Sequence, residues 1–328
     1  MSQATELQIA MLGASGVGKT TLLTSMYEQF EETTREVNIQ LKPANPYTEQ
    51  TLQKYLKQLR SLAETFEAKE GLRGTAATAG PNSIKPFNFT IGKKADKPSL
   101  QLCFRDYPGG YISSQDITEK RYVRKLLEQS AAVVVAIDTP AIMEVKGKWH
   151  QLRNKPNDIT ELFKIAYRNL NEPKLVILAP VKCETYVQDE ESAHLLCQRI
   201  EQEYARLLEF FQAPGLADKV AVVITPVQTV GCVIFLVAGE RNGQPVFTFT
   251  KTSFNATYSP QDSEQMLRYL LRFLFKLYLE QRRWPILNQI RQVFNPDAEF
   301  KQAVEQFTKG CKTNGGFTIL QGKKWLHI

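Results

Sequence analysis

The segment at residues 13–20, Gly-Ala-Ser-Gly-Val-Gly-Lys-Thr, constrains the fold of this chain more than any other. It fits the Gly-x-x-x-x-Gly-Lys-Ser/Thr pattern of a phosphate-binding P-loop, which joins a buried strand to a helix. An apolar run at 7–12 precedes the segment, and a helical pattern follows from Thr21. This order predicts the first strand, loop and helix of a mostly parallel α/β sheet.

Each part of this segment has a chemical role in phosphate binding. Glycines let backbone N–H groups converge on phosphate oxygens, and the helix N-terminus adds partial positive charge. Lys19 is expected to reach the β- and γ-phosphates, and Thr20 to ligate Mg²⁺. The residues predicted to bind the nucleotide here are Gly13, Ser15, Gly16, Val17, Gly18, Lys19, Thr20 and Thr21. The alternative, a glycine-rich turn that fits by chance, lacks a reason for the flanking strand and helix.

Apolar runs alternate with longer amphipathic stretches along the chain, which predicts a six-stranded sheet with helices on both faces. The predicted strands are 7–12, 84–91, 100–105, 131–137, 175–179 and 220–225. The predicted helices are 19–30, 47–69, 116–129, 158–170, 190–211 and 262–281, with a short one near 297–308. Two segments are interpreted as insertions: a helix within about 33–80, and a β-hairpin at 232–252 with an Asn242-Gly243 turn.

Composition excludes several classes of protein. The 328 residues are 43% hydrophobic and 23% charged, as in ordinary globular chains. No apolar run is long enough to span a bilayer, and no basic-then-apolar signal segment opens the sequence. The five cysteines are widely spaced and form no Cys-x-x-Cys pair, which is typical of reduced thiols. We therefore expect a cytoplasmic protein without a transmembrane segment.

A second motif follows the predicted strand 100–105. There the chain reads Asp106-Tyr107-Pro108-Gly109. An acid at the end of a buried strand is placed to hold the metal, and a glycine three residues later can donate its N–H to the γ-phosphate. An ordinary Asp-Tyr-Pro-Gly turn is the alternative. Lys19, Asp106 and Gly109 are the predicted catalytic residues.

With both motifs in place, the chain resembles Ras-like P-loop GTPases of the translation-factor-related class over about residues 7 to 284. It is most similar to bacterial members often called double-GTPase-like domains. The resemblance implies that the strand before the Asp-x-x-Gly motif is antiparallel to its neighbour. It also implies that a threonine in the preceding loop completes the Mg²⁺ shell. Thr75 or Thr78 fits that role, and the predicted metal ligands are Thr20, Asp106 and Thr75.

The resemblance also indicates where a guanine base would bind. The family motif Asn/Thr-Lys-x-Asp after the fifth strand corresponds to Val181-Lys182-Cys183-Glu184. The lysine is kept, the acid is longer by one methylene, and the leading polar residue is absent. Lys182 and Glu184 are therefore predicted to contact the base, unless they are two exposed loop charges. The last base-contacting loop corresponds to the region of Thr225, where a backbone contact is expected. GTP is the predicted ligand, with ATP not excluded.

Hydrolysis requires an oriented water. Many Ras-like proteins place a glutamine directly after the Asp-x-x-Gly motif, whereas this chain has Gly110. We therefore expect slow hydrolysis, or hydrolysis stimulated by a protein partner. The alternatives are a P-loop ATPase or kinase, and a nucleotide-binding interaction module that does not hydrolyse its ligand.

The net charge of +7 lies at the C-terminal end. Residues 265–328 contain 11 basic and 4 acidic residues, while the rest of the chain is balanced. Arg268, Arg272 and Lys276 recur every four residues and share one helical face. This face is interpreted either as the edge of the last helix or as part of a surface for an anionic partner. We predict two regions: a Ras-like domain at 1–284 and a basic appendage at 285–328.

Overall fold

The computed structural model of the chain describes residues 5–35, 37–64, 68–70, 86–96, 98–106, 109–280, 290–291, 293–294 and 297–327. The strands are β1 (Thr5–Leu12), β2 (Gln40–Pro43), β3 (Lys69–Glu70), β4 (Phe87–Gly92), β5 (Leu100–Asp106), β6 (Ala132–Asp138), β7 (Lys174–Val181), β8 (Val220–Ile224), β9 (Val233–Arg241), β10 (Gln244–Lys251) and β11 (Thr318–Gln321). The helices are α1 (Lys19–Thr33), α2 (Pro46–Leu62), α3 (Ile117–Gln129), α4 (Thr139–Met143), α5 (His150–Asn154), α6 (Pro156–Ala166), α7 (Glu190–Glu203), α8 (Ala205–Phe211), α9 (Gln265–Leu279) and α10 (Ala298–Thr308).

The central sheet is mostly parallel. Within the described residues its spatial order is β11-β8-β7-β6-β1-β5-β4-β2. The strands from β8 to β5 pair in parallel, and β4 is antiparallel to β5, as the family resemblance implied. Because carboxyl ends of parallel strands meet at one edge, the P-loop, Asp106, Asp138 and Lys182 are brought to the same side of the sheet.

Helices cover both faces of this sheet, which explains why its central strands are apolar throughout. Every residue of β6, β7 and β8 is buried. Alternate residues of β1 enter different cores: Leu7, Ile9 and Met11 pack with α1 and α9, whereas Ala10 and Leu12 pack with α3 and α6.

Among the described residues the central sheet has eight strands, which corrects the predicted six. All six predicted strands are present, and β2 and β11 extend the sheet at its two edges, both antiparallel to their neighbours. Each added strand has only four residues, so neither shows a readable period in the sequence. The helix predicted at 47–69 ends at Leu62, and the one predicted at 190–211 divides at Tyr204 into α7 and α8.

The predicted hairpin is confirmed and belongs to a second, smaller sheet. β9 and β10 pair across Asn242 and Gly243, both of which have positive φ (52° and 71°), as a tight hairpin turn requires. The two-residue strand β3 adds to the edge of β10.

An additional inserted segment between β6 and α6 was not predicted from the sequence. It contains α4, a 3₁₀ turn at Glu144–Gly147, and α5. Neither helix exceeds five residues, which is too short to show a helical hydrophobic period.

The described part of the C-terminal region packs on the same core as α1 and α9. Phe300, Val304, Phe307 and Trp325 are buried in that cluster. The guanidinium of Arg268 lies 4.2 Å from the centre of the Phe307 ring and donates to the Phe307 carbonyl, so this part of the predicted basic face points into the protein. Two further basic residues of the C-terminal region, Arg282 and Arg283, lie outside the described residues. The division of the chain into a domain at 1–284 and an appendage at 285–328 stays a prediction.

Candidate nucleotide-binding site

The P-loop connects the carboxyl end of β1 to the first turn of α1, as predicted. The Lys19 side chain is only 7% exposed, and its Nζ donates to the carbonyl of Gly13 at 2.9 Å and of Ala14 at 3.4 Å. Burial lowers the pKa of Lys19, while the nearby Asp106 opposes that change. A buried ammonium held by loop carbonyls can exchange these acceptors for phosphate oxygens.

Thr20 and Asp106 lie together beside Lys19. The Thr20 hydroxyl donates to Asp106 Oδ2 at 2.6 Å, and Asp106 Oδ1 is 3.7 Å from Lys19 Nζ. These residues are 86 positions apart in the chain, and the pairing of β1 with β5 joins them. The structure thus brings two of the three predicted metal ligands together. The third, Thr75, and its alternative Thr78 lie outside the described residues.

The residues of this pair fit Mg²⁺ by their chemistry. Mg²⁺ prefers oxygen ligands and is commonly held by one or two protein oxygens, with phosphate and water oxygens completing its shell. Thr20 and Asp106 supply a hydroxyl and a carboxylate at the P-loop. Among the described residues no cluster of three or more His, Cys, Asp or Glu side chains is arranged to hold a metal by protein ligands alone.

Gly109 lies against the P-loop backbone at Ala14 and Ser15 and begins a 3₁₀ turn that ends at Ser113. Tyr107 and Pro108, between Asp106 and Gly109, lie outside the described residues. Gly110 faces open space, with no described atom within 4 Å of a Cβ built on it. Gln115 is exposed beside α3, where Lys120 donates to its side-chain oxygen at 3.4 Å.

Lys182 follows β7 and has a φ of 63°, which is uncommon for a residue other than glycine. Its Nζ donates to Asp138 Oδ2 at 2.6 Å. Burial lowers the pKa of Lys182, and the Asp138 carboxylate partly opposes that effect. The lysine is therefore part of an ion pair beside the P-loop rather than an exposed loop charge.

Glu184 has a different environment. It is 7% exposed, and its Oε1 accepts from the backbone N–H groups of Val230 at 2.8 Å and Gly231 at 3.2 Å. Burial raises the pKa of Glu184, although these backbone donors favour the charged form. In this arrangement the carboxylate ties the loop after β7 to the loop after β8. Its predicted contact with a base stays a prediction.

Thr225 directly follows β8 and is fully buried. Its N–H donates to the Leu178 carbonyl at 2.9 Å, so that backbone donor is used within the sheet. Its hydroxyl oxygen has no hydrogen-bond partner among the residues that the structure describes.

Two residues of this site, Asp138 and Arg153, were not predicted from the sequence. Asp138 is fully buried, and its Oδ2 receives bonds from Lys182 and from Arg153 Nε at 3.1 Å. Arg153 Nη2 also donates to the carbonyl of Gly16 at 2.8 Å. The signal for Asp138 was present, because it ends a buried strand as Asp106 does. Arg153, in a five-residue helix, gave no such signal.

The family model of Double-GTPase 2 matches residues 8–223, which is well over half of the chain and includes the P-loop, Asp106, Asp138 and Lys182. This chain belongs to the Double-GTPase 2 family. No curated protein matches its sequence.

Several solved structures are similar to this Double-GTPase 2 chain at low identity. One is a signal recognition particle receptor SRb-GTP/SRX complex from Chaetomium thermophilum, with 15% identity, a TM-score of 0.38, and coverage of 74% of this chain and 95% of that chain. Another is the S. cerevisiae Ski7 GTPase-like domain bound to GTP, with 15% identity, a TM-score of 0.37, and coverage of 68% and 43%. A third is Methanosarcina barkeri Roco2 RocCORdC bound to GDP, with 10% identity, a TM-score of 0.30, and coverage of 98% and 74%. The family assignment does not depend on these likenesses.

Among the described residues no helix of this Double-GTPase 2 chain is both long and apolar enough to cross a lipid bilayer. All five cysteines are free thiols.

Proposed function

We propose that this member of the Double-GTPase 2 family binds GTP with Mg²⁺ and acts as a nucleotide-dependent molecular switch. The observation that carries the proposal is the convergence of Lys19, Thr20 and Asp106 at the mouth of the P-loop. A cytoplasmic location, expected from the spacing of the five cysteines, is part of the same proposal.

The roles follow from the chemistry of each group. The P-loop N–H groups hold the phosphates, and Lys19 donates to the β- and γ-phosphate oxygens in place of the Gly13 and Ala14 carbonyls. Thr20 and Asp106 hold Mg²⁺, which supplies neutralising charge for the phosphates. Gly109 donates its N–H to the γ-phosphate, so its segment responds to whether that phosphate is present.

Hydrolysis in this proposal is slow unless a protein activator assists. Water must attack the γ-phosphorus in line as the bond to the β-phosphate oxygen breaks. Position 110 carries no side chain, so the chain provides no water-orienting group directly after the Asp-x-x-Gly motif. The second candidate function is a nucleotide-binding module that does not hydrolyse its ligand. The absence of a side chain at position 110 supports this candidate as well.

A direct test of the proposal is to titrate GTP and ATP against the protein with Mg²⁺ and to follow phosphate release in parallel. We expect tighter binding of GTP than of ATP. Lys19→Ala should weaken GTP binding on the order of 100-fold, because it removes a buried charged donor. Lys309→Ala, which changes a lysine with a 74% exposed side chain, is the matched control.

Each alternative has its own outcome in this test. Equal or stronger binding of ATP would contradict the guanine preference, and transfer of phosphate to a small acceptor would indicate a kinase. Phosphate release no faster than in the Lys19→Ala variant would favour the non-hydrolysing module. An anionic partner at the basic C-terminal region stays a prediction, with the Arg268 side chain already engaged within the fold.

A further inference from the structure

A small cleft lies between the P-loop and the three-stranded sheet of β3, β10 and β9. Its volume is about 110 Å³. Gly16, Arg153 and Lys182 line it from the nucleotide-binding loops, and Phe247, Phe249 and Glu70 line it from the small sheet. The cleft therefore has a cationic wall that contacts the P-loop and an aromatic wall that comes from the inserted hairpin.

The cationic wall is rigidly held. Asn154, the neighbour of Arg153, clamps α5 to the end of β6: its Oδ1 accepts from the Asp138 N–H at 2.7 Å, and its Nδ2 donates to the Asp138 carbonyl at 3.1 Å. Arg153 itself bridges the Asp138 carboxylate and the Gly16 carbonyl. Its side chain remains 26% exposed, so the fixed guanidinium plane is accessible from the cleft.

The aromatic wall is also held in place. Phe247 and Phe249 lie on β10 and both line the cleft, with a shift of strand register between Thr248 and Phe249. Phe235 packs against both rings, at 6.4 and 6.2 Å between ring centres. Trp149, directly before α5, packs edge-on against Phe247 at 5.7 Å. The inserted segment between β6 and α6, which contains both Trp149 and Asn154, therefore supports both walls.

The position and chemistry of the cleft indicate its ligand. A molecule whose phosphates bind the P-loop N–H groups would meet, next to Gly16, a cleft that a guanidinium group and two phenyl rings line. Flat π-systems bind in such clefts, because they stack on aromatic faces and interact favourably with cations placed over the ring. Glu184 is directed elsewhere, towards Val230 and Gly231.

We propose that Arg153 and Phe249 form the two walls of a slot that holds the nucleobase of the bound nucleotide. This inference rests on the proposed function and assigns base binding to two parts of the chain that lie outside the P-loop and the loop after β7. Arg153 and Phe249 then contribute to affinity through the base, whereas Lys19 contributes through the phosphates.

The test compares a ligand with a base and one without. Affinities for GTP and for inorganic tripolyphosphate, each with Mg²⁺, are measured by isothermal titration for the wild type, Phe249→Ala and Arg153→Met. We expect Phe249→Ala to weaken GTP binding by about 10-fold or more, as loss of one stacking partner does, and to leave tripolyphosphate binding within about twofold. Arg153→Met also removes a positive charge bonded to the Gly16 carbonyl, so it should weaken the binding of both ligands, and of GTP by about 10-fold more than of tripolyphosphate. Leu236→Ala on β9, where the side chain is 53% exposed and does not line the cleft, is the control and should change neither affinity.

Other outcomes separate this inference from the proposed function. Unchanged GTP binding in both variants, with Lys19→Ala still weakening both ligands, would overturn the slot and leave the proposed function standing. Equal weakening of both ligands by Arg153→Met would show a phosphate contact and also overturn it. A wild type that binds neither ligand would contradict the proposed function itself. Should Phe249→Ala fail to fold, Phe249→Leu preserves an apolar side chain without the π-face, and the same loss of GTP affinity is expected.

Discussion

Gly109 leaves no room for a side chain next to the P-loop. A Cβ atom built on it would lie 2.0 Å from the Ser15 nitrogen and 2.1 Å from the Ala14 carbonyl carbon. Both neighbours are backbone atoms, so a rotamer change cannot relieve the contact. Glycine is needed at this position for close approach of two backbone segments, in addition to its proposed donation to the γ-phosphate.

Gly109→Ala should therefore lower the free energy of unfolding by about 1–3 kcal/mol, the usual range for a forced overlap. Urea denaturation measures this change. Gly110→Ala is a matched control one residue away, where the new methyl group meets open space and a change within about 0.5 kcal/mol is expected. Equal stability of the two variants would show that the 109–113 segment moves away from the P-loop without cost.

At the scale of elements, α5 is a five-residue helix fixed by buried polar contacts rather than by an apolar face. Its first residue, His150, is 1% exposed and accepts a bond from Asn154 Nδ2 at 3.0 Å. The ring packs on Tyr204 at 5.5 Å, and its Nε2 is 3.9 Å from a Glu203 oxygen. Burial, with a smaller effect of Arg199, lowers the pKa of His150 to about 4, so the ring is neutral at pH 7 despite the nearby acid.

This low pKa predicts a loss of stability in acid. The unfolded histidine takes up a proton near pH 6.5, whereas the folded one resists protonation until about pH 4. Stability is therefore full above pH 6.5 and falls as the pH drops towards 4, by about 3 kcal/mol. His150→Phe should have a shallower slope of unfolding free energy over this range than the wild type, in urea titrations at several pH values. The same slope in both proteins would contradict the assignment.

At the scale of the whole molecule, the C-terminal region completes the fold. β11 pairs with β8 at one edge of the sheet, and Phe307 packs against Phe30 of α1 at 5.1 Å. Phe275 of α9 packs on Phe294, which stacks in turn on Phe300 of α10, so α9 would lose part of its cover without the C-terminal region. The basic composition of this region thus coexists with a structural role.

A chain that ends at residue 284 should accordingly lose cooperative unfolding, because it exposes apolar surface of α9 and leaves β8 as an unpaired edge. Thermal unfolding followed by circular dichroism, with the full chain as reference, measures this. A shortened chain that melts cooperatively and still binds GTP would instead support two separable regions with a boundary near 284.

Much of this protein was determined by local sequence. The P-loop, the six main strands and the hairpin turn at Asn242-Gly243 each depend on a few adjacent residues, whose periodicity or turn chemistry can be read directly. Asp106 and Asp138 share one signal, an acid that ends a buried strand. Lys19, Thr20 and Asp106 were predicted to act together, and the parallel pairing of β1 with β5 brings them into contact.

Only the tertiary structure decided which distant groups meet. The contacts that join Arg153, Asp138, Lys182 and Gly16 depend on the strand order and on a five-residue helix that Asn154 holds in place. Neither feature leaves a periodic pattern in the sequence. The same holds for Glu184, whose spacing indicates a base contact but whose buried oxygen binds the backbone at Val230 and Gly231. The hydrophobic periodicity of a segment indicates which face of that helix or strand is buried. This periodicity does not indicate which side chain of another element lies opposite that face. In this protein such contacts between distant elements form the cleft beside the P-loop.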